Sequence, residues 1–141
     1  MKRFSFSLEK ILDLRKFEKK QAEAELGKAL AVENRIQGEL DNIASERVST
    51  NHNSDDVHDI YSLMRNQQYL ALLKVKENQY LQELSEAKLV SEAKRNELIE
   101  AMKKEKVLSK LRETKLREYN KSLNKAEDLA NDDVVTARYG R

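Results

Sequence analysis

Ser49-Thr-Asn-His-Asn-Ser-Asp-Asp56 decides the fold, because it is the one clear break in a chain that otherwise carries helical periodicity. It contains no apolar residue. Serine, asparagine and aspartate favour turns, since their side chains bond the local backbone. The stretch therefore predicts a turn over residues 49–56 between two long helices. Ser54 is the expected N-cap of the second helix.

On the N-terminal side of this break, a heptad pattern predicts a helix from about Leu8 to about Val48. The a and d positions of each heptad face the partner helix in a coiled coil. Eight of the twelve positions are apolar, which is enough for a seam, and the four polar ones are expected to fix the register. The twelve positions are Leu8, Leu12, Arg15, Lys19, Ala22, Leu26, Ala29, Glu33, Ile36, Leu40, Ile43 and Arg47.

On the C-terminal side, apolar residues at the same spacing predict a second helix from about Val57 to about Ala130. The pattern slips by one residue at Arg112, and such a slip changes the supercoil locally. Residues 131–141 are expected to form a mobile tail, because Asn131 and the two aspartates after it interrupt the helical pattern.

A helix with a narrow apolar stripe cannot bury that stripe alone. We therefore expect an all-α fold class, a long two-helix antiparallel coiled-coil hairpin that forms a single domain over residues 1–141. The second helix is longer than the first. Part of it consequently lacks a partner within the chain and is a candidate binding surface.

The composition excludes several classes of protein. The 141 residues include no proline, no cysteine and three glycines, and 37% of them are charged, which is typical of long helices. Without cysteine there is neither a disulfide framework nor a thiolate metal site. No apolar run approaches the roughly 20 residues of a membrane span. A soluble, cytoplasmic protein is expected.

No arrangement of side chains predicts catalysis or a cofactor. The sequence has no glycine-rich phosphate loop and no His-Glu-x-x-His motif. His52 and His58 lie near aspartates in or beside the predicted turn, but a structural metal site needs more ligands in a closed geometry. We therefore predict that the protein is not an enzyme and binds neither a metal ion nor a cofactor.

The charge of the chain is unevenly distributed, although its net value is only +2. Residues 103–125 contain nine basic and three acidic residues. Such a run is either a solvated helix face or a docking surface for an acidic partner. Nucleic-acid binding is disfavoured because Tyr119 is the one aromatic residue of the run, which leaves no platform for base stacking.

Tyr61, Tyr69 and Tyr80 cluster in the early part of the second helix. They either pack against the first helix or belong to a protein interface, where tyrosine is enriched. Segment 66–73 carries apolar side chains around most of its circumference. One face of this segment can therefore serve the hairpin while another faces a partner.

The N-terminal run reads Phe4-Ser-Phe6-Ser-Leu8-Glu-Lys-Ile11-Leu12-Asp-Leu14-Arg15 and is followed by Glu18, Ala22, Leu26 and Ala29. This pattern resembles the start of the flagellar export protein FliJ family. The motif covers about the first 30 residues, while the length, the hairpin layout and the scarcity of proline and glycine agree along the whole chain.

The resemblance implies a cytoplasmic component of the flagellar type III export apparatus, peripherally associated with the basal body at the inner membrane. It implies a hairpin similar to the stalk subunit of rotary ATPases. The paired terminal ends would enter the hexameric export ATPase and promote its assembly, and the turn-proximal end would reach the cytoplasmic domain of the export gate protein FlhA. The family is also described as handling flagellar export chaperones.

The same resemblance implies two sets of contact residues. For the export gate they are Ile43, Tyr69, Leu73 and Tyr80, beside Glu39, Glu46 and Lys76, where this sequence departs from the family in residue type. For the ATPase they are Phe4, Leu8, Leu12, Arg15, Lys110, Arg112, Lys115, Leu116, Arg117, Tyr119 and Leu123. The alternative function is that of a generic coiled-coil adaptor, or of a stalk from a related type III secretion or rotary ATPase system.

Overall fold

The chain folds into two long α-helices in a computed structural model that describes residues 3–55 and 59–140. Helix α1 comprises Glu9–Asp55 and helix α2 comprises Ile60–Tyr139. The described residues contain no strand. The two helices pack extensively against each other and α2 is the longer, which confirms the predicted all-α hairpin.

The first helix ends later than its sequence predicts, so the expected turn at 49–56 is wrong over most of its length. Thr50 and Ser54 continue the seam spacing of α1. Thr50 is buried and Ser54 is half-buried. The Ser54 hydroxyl donates to the Thr50 carbonyl at 2.9 Å and accepts from the Asn66 amide at 3.0 Å. Because the Ser54 hydroxyl is bonded inside the helix pair, the helix continues through residues that favour turns elsewhere.

Asp59, not Ser54, caps the second helix. The Tyr61 amide donates to the Asp59 carboxylate at 3.1 Å. That bond satisfies one of the amides that have no partner within the helix, and the negative charge lies at the positive end of the helix dipole. Residues 56–58, which include the rest of the predicted turn and His58, lie outside the described residues.

The second helix also ends later than predicted, at Tyr139 rather than near Ala130. Neither proline nor glycine interrupts it before Gly140. The Gly140 amide donates to the Thr136 carbonyl at 2.8 Å, which closes the last turn. All of the side chains from 127 to 139 are exposed.

Each of the two compact units of the chain combines a stretch of both helices. Unit 1 comprises residues 1–20 and 99–141, and unit 2 comprises residues 21–98. The twelve predicted seam positions of α1 are all buried or half-buried, which confirms the heptad assignment. The slip in α2 is confirmed as well, because Leu108, Arg112 and Leu116 are half-buried at two successive intervals of four residues.

Unit 2 contains an apolar cluster of the seam. Ile36 of α1 packs with Leu84 and Ala87 of α2, and Leu40 and Tyr80 lie against this group. Burial of such side chains stabilises the helix pair, because each removes apolar surface from water.

Polar seam residues in unit 2 have partners across the helix pair. Arg47 forms an ion pair with Glu77, and the Ser91 hydroxyl donates to Glu33. The hydrogen bond from Arg47, helped by Lys74, holds the pKa of Glu77 below its ordinary value. These contacts define the register of the hairpin, which the sequence leaves open.

Candidate protein-binding surfaces

Unit 1 includes an N-terminal arm, residues 3–8, that lies against α2. Residues 3–6 have no regular secondary structure, whereas Ser7 and Leu8 form a turn that leads into α1. Along the arm, Phe4, Phe6 and Leu8 are half-buried, whereas the residues between them are exposed. Phe4 and Phe6 lie before the first residue of α1, so their spacing belongs to the arm and not to a helix.

Phe4 joins the arm to the late part of α2. Its ring lies 5.6 Å from the Tyr119 ring, centroid to centroid, in a tilted arrangement. The Arg112 guanidinium lies 5.5 Å from the Phe4 centroid, and its Nε donates to Glu9 at 2.9 Å. We call Phe4, Glu9, Arg112 and Tyr119 the clasp. Aromatic packing and a cation–π contact together hold the arm on the helix.

An open groove of about 580 Å³ runs between the arm and α2. Phe6 and Leu8 line it from the arm, and Leu111, Lys115 and Tyr119 line it from the helix. Lys115 forms an ion pair with Glu118 at 3.6 Å. The groove therefore combines apolar walls with a partly compensated positive charge, which suits a protein side chain better than a small anion.

The structure brings together most of the residues that the resemblance assigns to the ATPase. Phe4, Arg112 and Tyr119 belong to the clasp, and five others are buried or half-buried around it, namely Leu8, Leu12, Arg15, Leu116 and Leu123. Arg15 forms an ion pair with Glu18 at 3.0 Å. Lys110, Lys115 and Arg117 are exposed and are thus directly available to a partner.

Three of the four residues assigned to the export gate are buried or half-buried in unit 2. Ile43 and Leu73 are buried in the seam and Tyr80 packs against the apolar cluster. Tyr69 is exposed, and its hydroxyl donates to the Glu46 carboxylate, which raises the pKa of Tyr69. Of the four residues, Tyr69 offers the largest accessible surface.

A second apolar surface in unit 2 was predicted only in part, through Tyr61 and through segment 66–73. Tyr61, Met64, Leu72 and Val75 are exposed and, at 100° per residue, lie on the side of α2 opposite its seam. We call these four residues the outer stripe. No acidic residue occurs between Ile60 and Lys76. The four residues of the outer stripe recur on the side of the helix that the heptad positions do not occupy. This spacing is the signal in the sequence that could have identified the stripe.

The described residues contain no group of three or more histidine or acidic side chains that could hold a metal ion. Asp56 of the predicted turn and His58, which was expected at the start of the second helix, lie outside them. Within the same residues, neither helix is both long enough and apolar enough to cross a membrane.

Comparison with known proteins identifies one family over almost the whole chain. The family model described as "Flagellar FliJ protein" matches residues 4–141. No curated protein and no solved structure matches the sequence.

Proposed function

Because the chain belongs to the FliJ family, a non-catalytic component of flagellar protein export, we propose that it is the stalk of the export ATPase. In this role the hairpin binds the hexameric ATPase through unit 1 and promotes its assembly and activity. It links the ATPase to the cytoplasmic domain of the export gate FlhA through unit 2. A role in escorting export chaperones is included in the proposal on the ground of the family alone.

The clasp is the observation that supports the ATPase contact. It unites residues from both ends of the sequence, Phe4 and Glu9 from the start and Arg112 and Tyr119 from late α2, into one surface. A partner that binds this surface contacts both ends of the sequence at once and therefore recognises the paired helices, not a single helix. Lys115, at the adjacent groove, adds a positive charge for an acidic group of the partner.

The gate contact is assigned to the outer stripe and to Tyr69. Buried seam residues such as Leu73 can support the contact by holding α2 in place, but they present almost no surface to a partner. The outer stripe has the exposed aromatic and aliphatic side chains that dominate binding energy at protein interfaces. The adjacent basic residue Lys74 forms an ion pair with Glu77 at 3.3 Å, so its positive charge is partly compensated.

The first test is ATP hydrolysis by the flagellar export ATPase of the same organism, with and without this protein. We expect stimulation, and Phe4→Ala should raise the half-maximal concentration of this protein about tenfold, since truncation of a central aromatic anchor costs about 1–2 kcal/mol of binding.

Phe17→Ala is the matched control, because Phe17 is an exposed phenylalanine of the same unit that lies outside the clasp. Circular dichroism must show that both variants keep their helix content. An equal effect of the two substitutions, or no stimulation by the unmodified protein, contradicts the proposal.

A further inference from the structure

The side of α2 that lies opposite the seam in unit 1 is exposed from Ile99 to Tyr139. We call this side the outward face. At 100° per residue it collects residues spaced three and four apart. Its first apolar pair is Ile99 and Met102, and its last is Val135 and Tyr139, the latter 85% exposed. Both ends of the face are thus apolar.

Between these apolar ends the outward face changes the sign of its charge. Lys103, Lys106 and Lys110 follow the first apolar pair, and Asp128 and Asp132 precede the second. All five side chains are exposed. Lys103 forms an ion pair with Glu100 of the same helix at 3.4 Å. Glu113, Arg117 and Lys121 lie on the middle of the same face. The order along the face is therefore apolar, basic with one glutamate, acidic, apolar.

The last part of this face has no cover within the described residues. Ala126 is the last half-buried residue of α2, and everything from Glu127 to Tyr139 is exposed. Apolar side chains in a segment that extends beyond its own helix pair are candidates for an intermolecular contact.

We propose that the outward face binds a second copy of this chain, with the two α2 helices antiparallel and centred near residue 119. That arrangement places Lys106 opposite Asp132, and Lys110 opposite Asp128. Each pair occurs twice because of the two-fold symmetry, and such a face is complementary to itself. The apolar pair at each end of one copy meets the opposite end of the other.

The distribution of charge favours a second copy over a purely acidic partner. An acidic helix laid along the lysines would also meet Asp128 and Asp132, and like charges in close contact oppose binding. Only a partner with the same order of charges, read in the reverse direction, complements the whole face. The chain itself supplies that order.

The pairing is weak, because Arg117 and Lys121 face each other near the two-fold axis. Exposed ion pairs contribute little each, and this like-charged pair opposes them. We therefore expect a weak dimer, with a dissociation constant on the order of 0.1–1 mM. The proposal is independent of the role in export.

The test is sedimentation equilibrium of the full chain at low salt up to about 1 mM, the range in which the constant above produces dimer. We expect a reversible monomer–dimer equilibrium that added salt weakens. Lys106→Glu with Lys110→Glu, or Asp128→Lys with Asp132→Lys, should each weaken dimerisation by about tenfold or more. All four substitutions together should restore it, because the opposite charges then face each other again.

Arg117→Glu provides the sharpest arm of the experiment. It replaces a repulsive pair with an attractive one, so it should strengthen the dimer, although it changes net charge in the same direction as Lys106→Glu. Lys16→Glu with Lys20→Glu is the charge-matched control on exposed positions of α1. A chain that stays monomeric at 1 mM, or variants that follow net charge alone, would overturn the proposal.

Discussion

Arg47 shows how a charged residue occupies a coiled-coil seam. Its aliphatic stem packs in the interface while the guanidinium pairs with Glu77 on the other helix. Glu33 is held in the same way by Ser91. Since each polar side chain has a partner only at one register, these residues select one alignment of the two helices among those that the apolar positions allow.

The lowered pKa of Glu77 predicts how unit 2 responds to acid. A carboxylate whose folded-state pKa is depressed stabilises the fold above its ordinary pKa of 4.5, and this stabilisation is lost as the pH falls through the lowered value. Glu77→Gln should therefore lower the thermal midpoint at pH 7, and the difference from the unmodified protein should shrink below pH 4.5.

Circular dichroism at a series of pH values measures the thermal midpoints of the unmodified protein and of the Glu77→Gln variant. The difference between the two proteins isolates Glu77 from the other carboxyl groups that titrate in the same range. A difference that stays constant down to the lowest pH would show that the charge of Glu77 does not stabilise the folded state.

The start of α2 illustrates what single residues in a sequence can and cannot predict. Ser54 has the chemistry of a helix cap, yet it lies inside α1, and Asp59 caps α2 instead. Both residues favour such a position in isolation. The choice depends on Thr50 and Ser54 reaching the seam, which is a property of the packed pair and not of the local sequence.

Helix α2 has a seam on one side and exposed surfaces on the other. The sequence predicts the seam better than it predicts the exposed surfaces. The seam was predictable because apolar residues recur at heptad spacing over many turns, and the slip at Arg112 was predictable for the same reason. Of the outer stripe, Tyr61 and Leu72 were interface candidates from the sequence, whereas Met64 and Val75 were not. Phe4, Arg112 and Tyr119 of the clasp were assigned by family resemblance, but Glu9 was not, and the mutual contacts of the four residues required the fold.

Neighbouring leucines on α2 separate stability from binding. Leu73 is 1% exposed and Leu72 is 48% exposed. Leu73→Ala should destabilise the protein by about 2–4 kcal/mol, because it leaves a cavity in the seam. Leu72→Ala should change stability by less than about 0.5 kcal/mol, as is usual for surface substitutions.

Binding to the FlhA cytoplasmic domain, measured by calorimetry, should respond in the opposite order at a temperature where both variants are folded. Loss of Leu72 removes an outer-stripe contact, whereas loss of Leu73 removes none. If Leu73→Ala weakened binding more than Leu72→Ala while remaining folded, the outer stripe would not be the gate contact.

Among the cross-helix polar contacts, the three that involve predicted seam residues of α1 recur at a regular interval. Lys19 pairs with Glu105 in unit 1, whereas Glu33 with Ser91 and Arg47 with Glu77 join the helices of unit 2. Along each helix, successive contacts are fourteen residues apart, which is two heptads. The sequence predicted a hairpin but not this alignment, because a shift by seven residues still places most apolar positions opposite one another.

Paired deletions test that alignment within unit 2. Removal of residues 44–50 together with 74–80 takes one heptad from each helix and brings Ser54 and Leu84 into the expected seam positions after Ile43 and Leu73. This variant should remain helical and unfold cooperatively. Removal of five residues from each helix, 44–48 and 76–80, turns the following seam out of the interface and should abolish cooperative unfolding.

The fourteen-residue recurrence has a consequence for how such a chain can change its length during evolution. Insertions and deletions are tolerated only as matched events, one in each helix and each a multiple of seven, because an unmatched change separates every later contact from its partner. Relatives of this protein should consequently differ in size by whole paired heptads. Small unpaired gaps should gather in the C-terminal part of α2 after Ala126, where the side chains up to Tyr139 are exposed and no cross-helix register has to be kept.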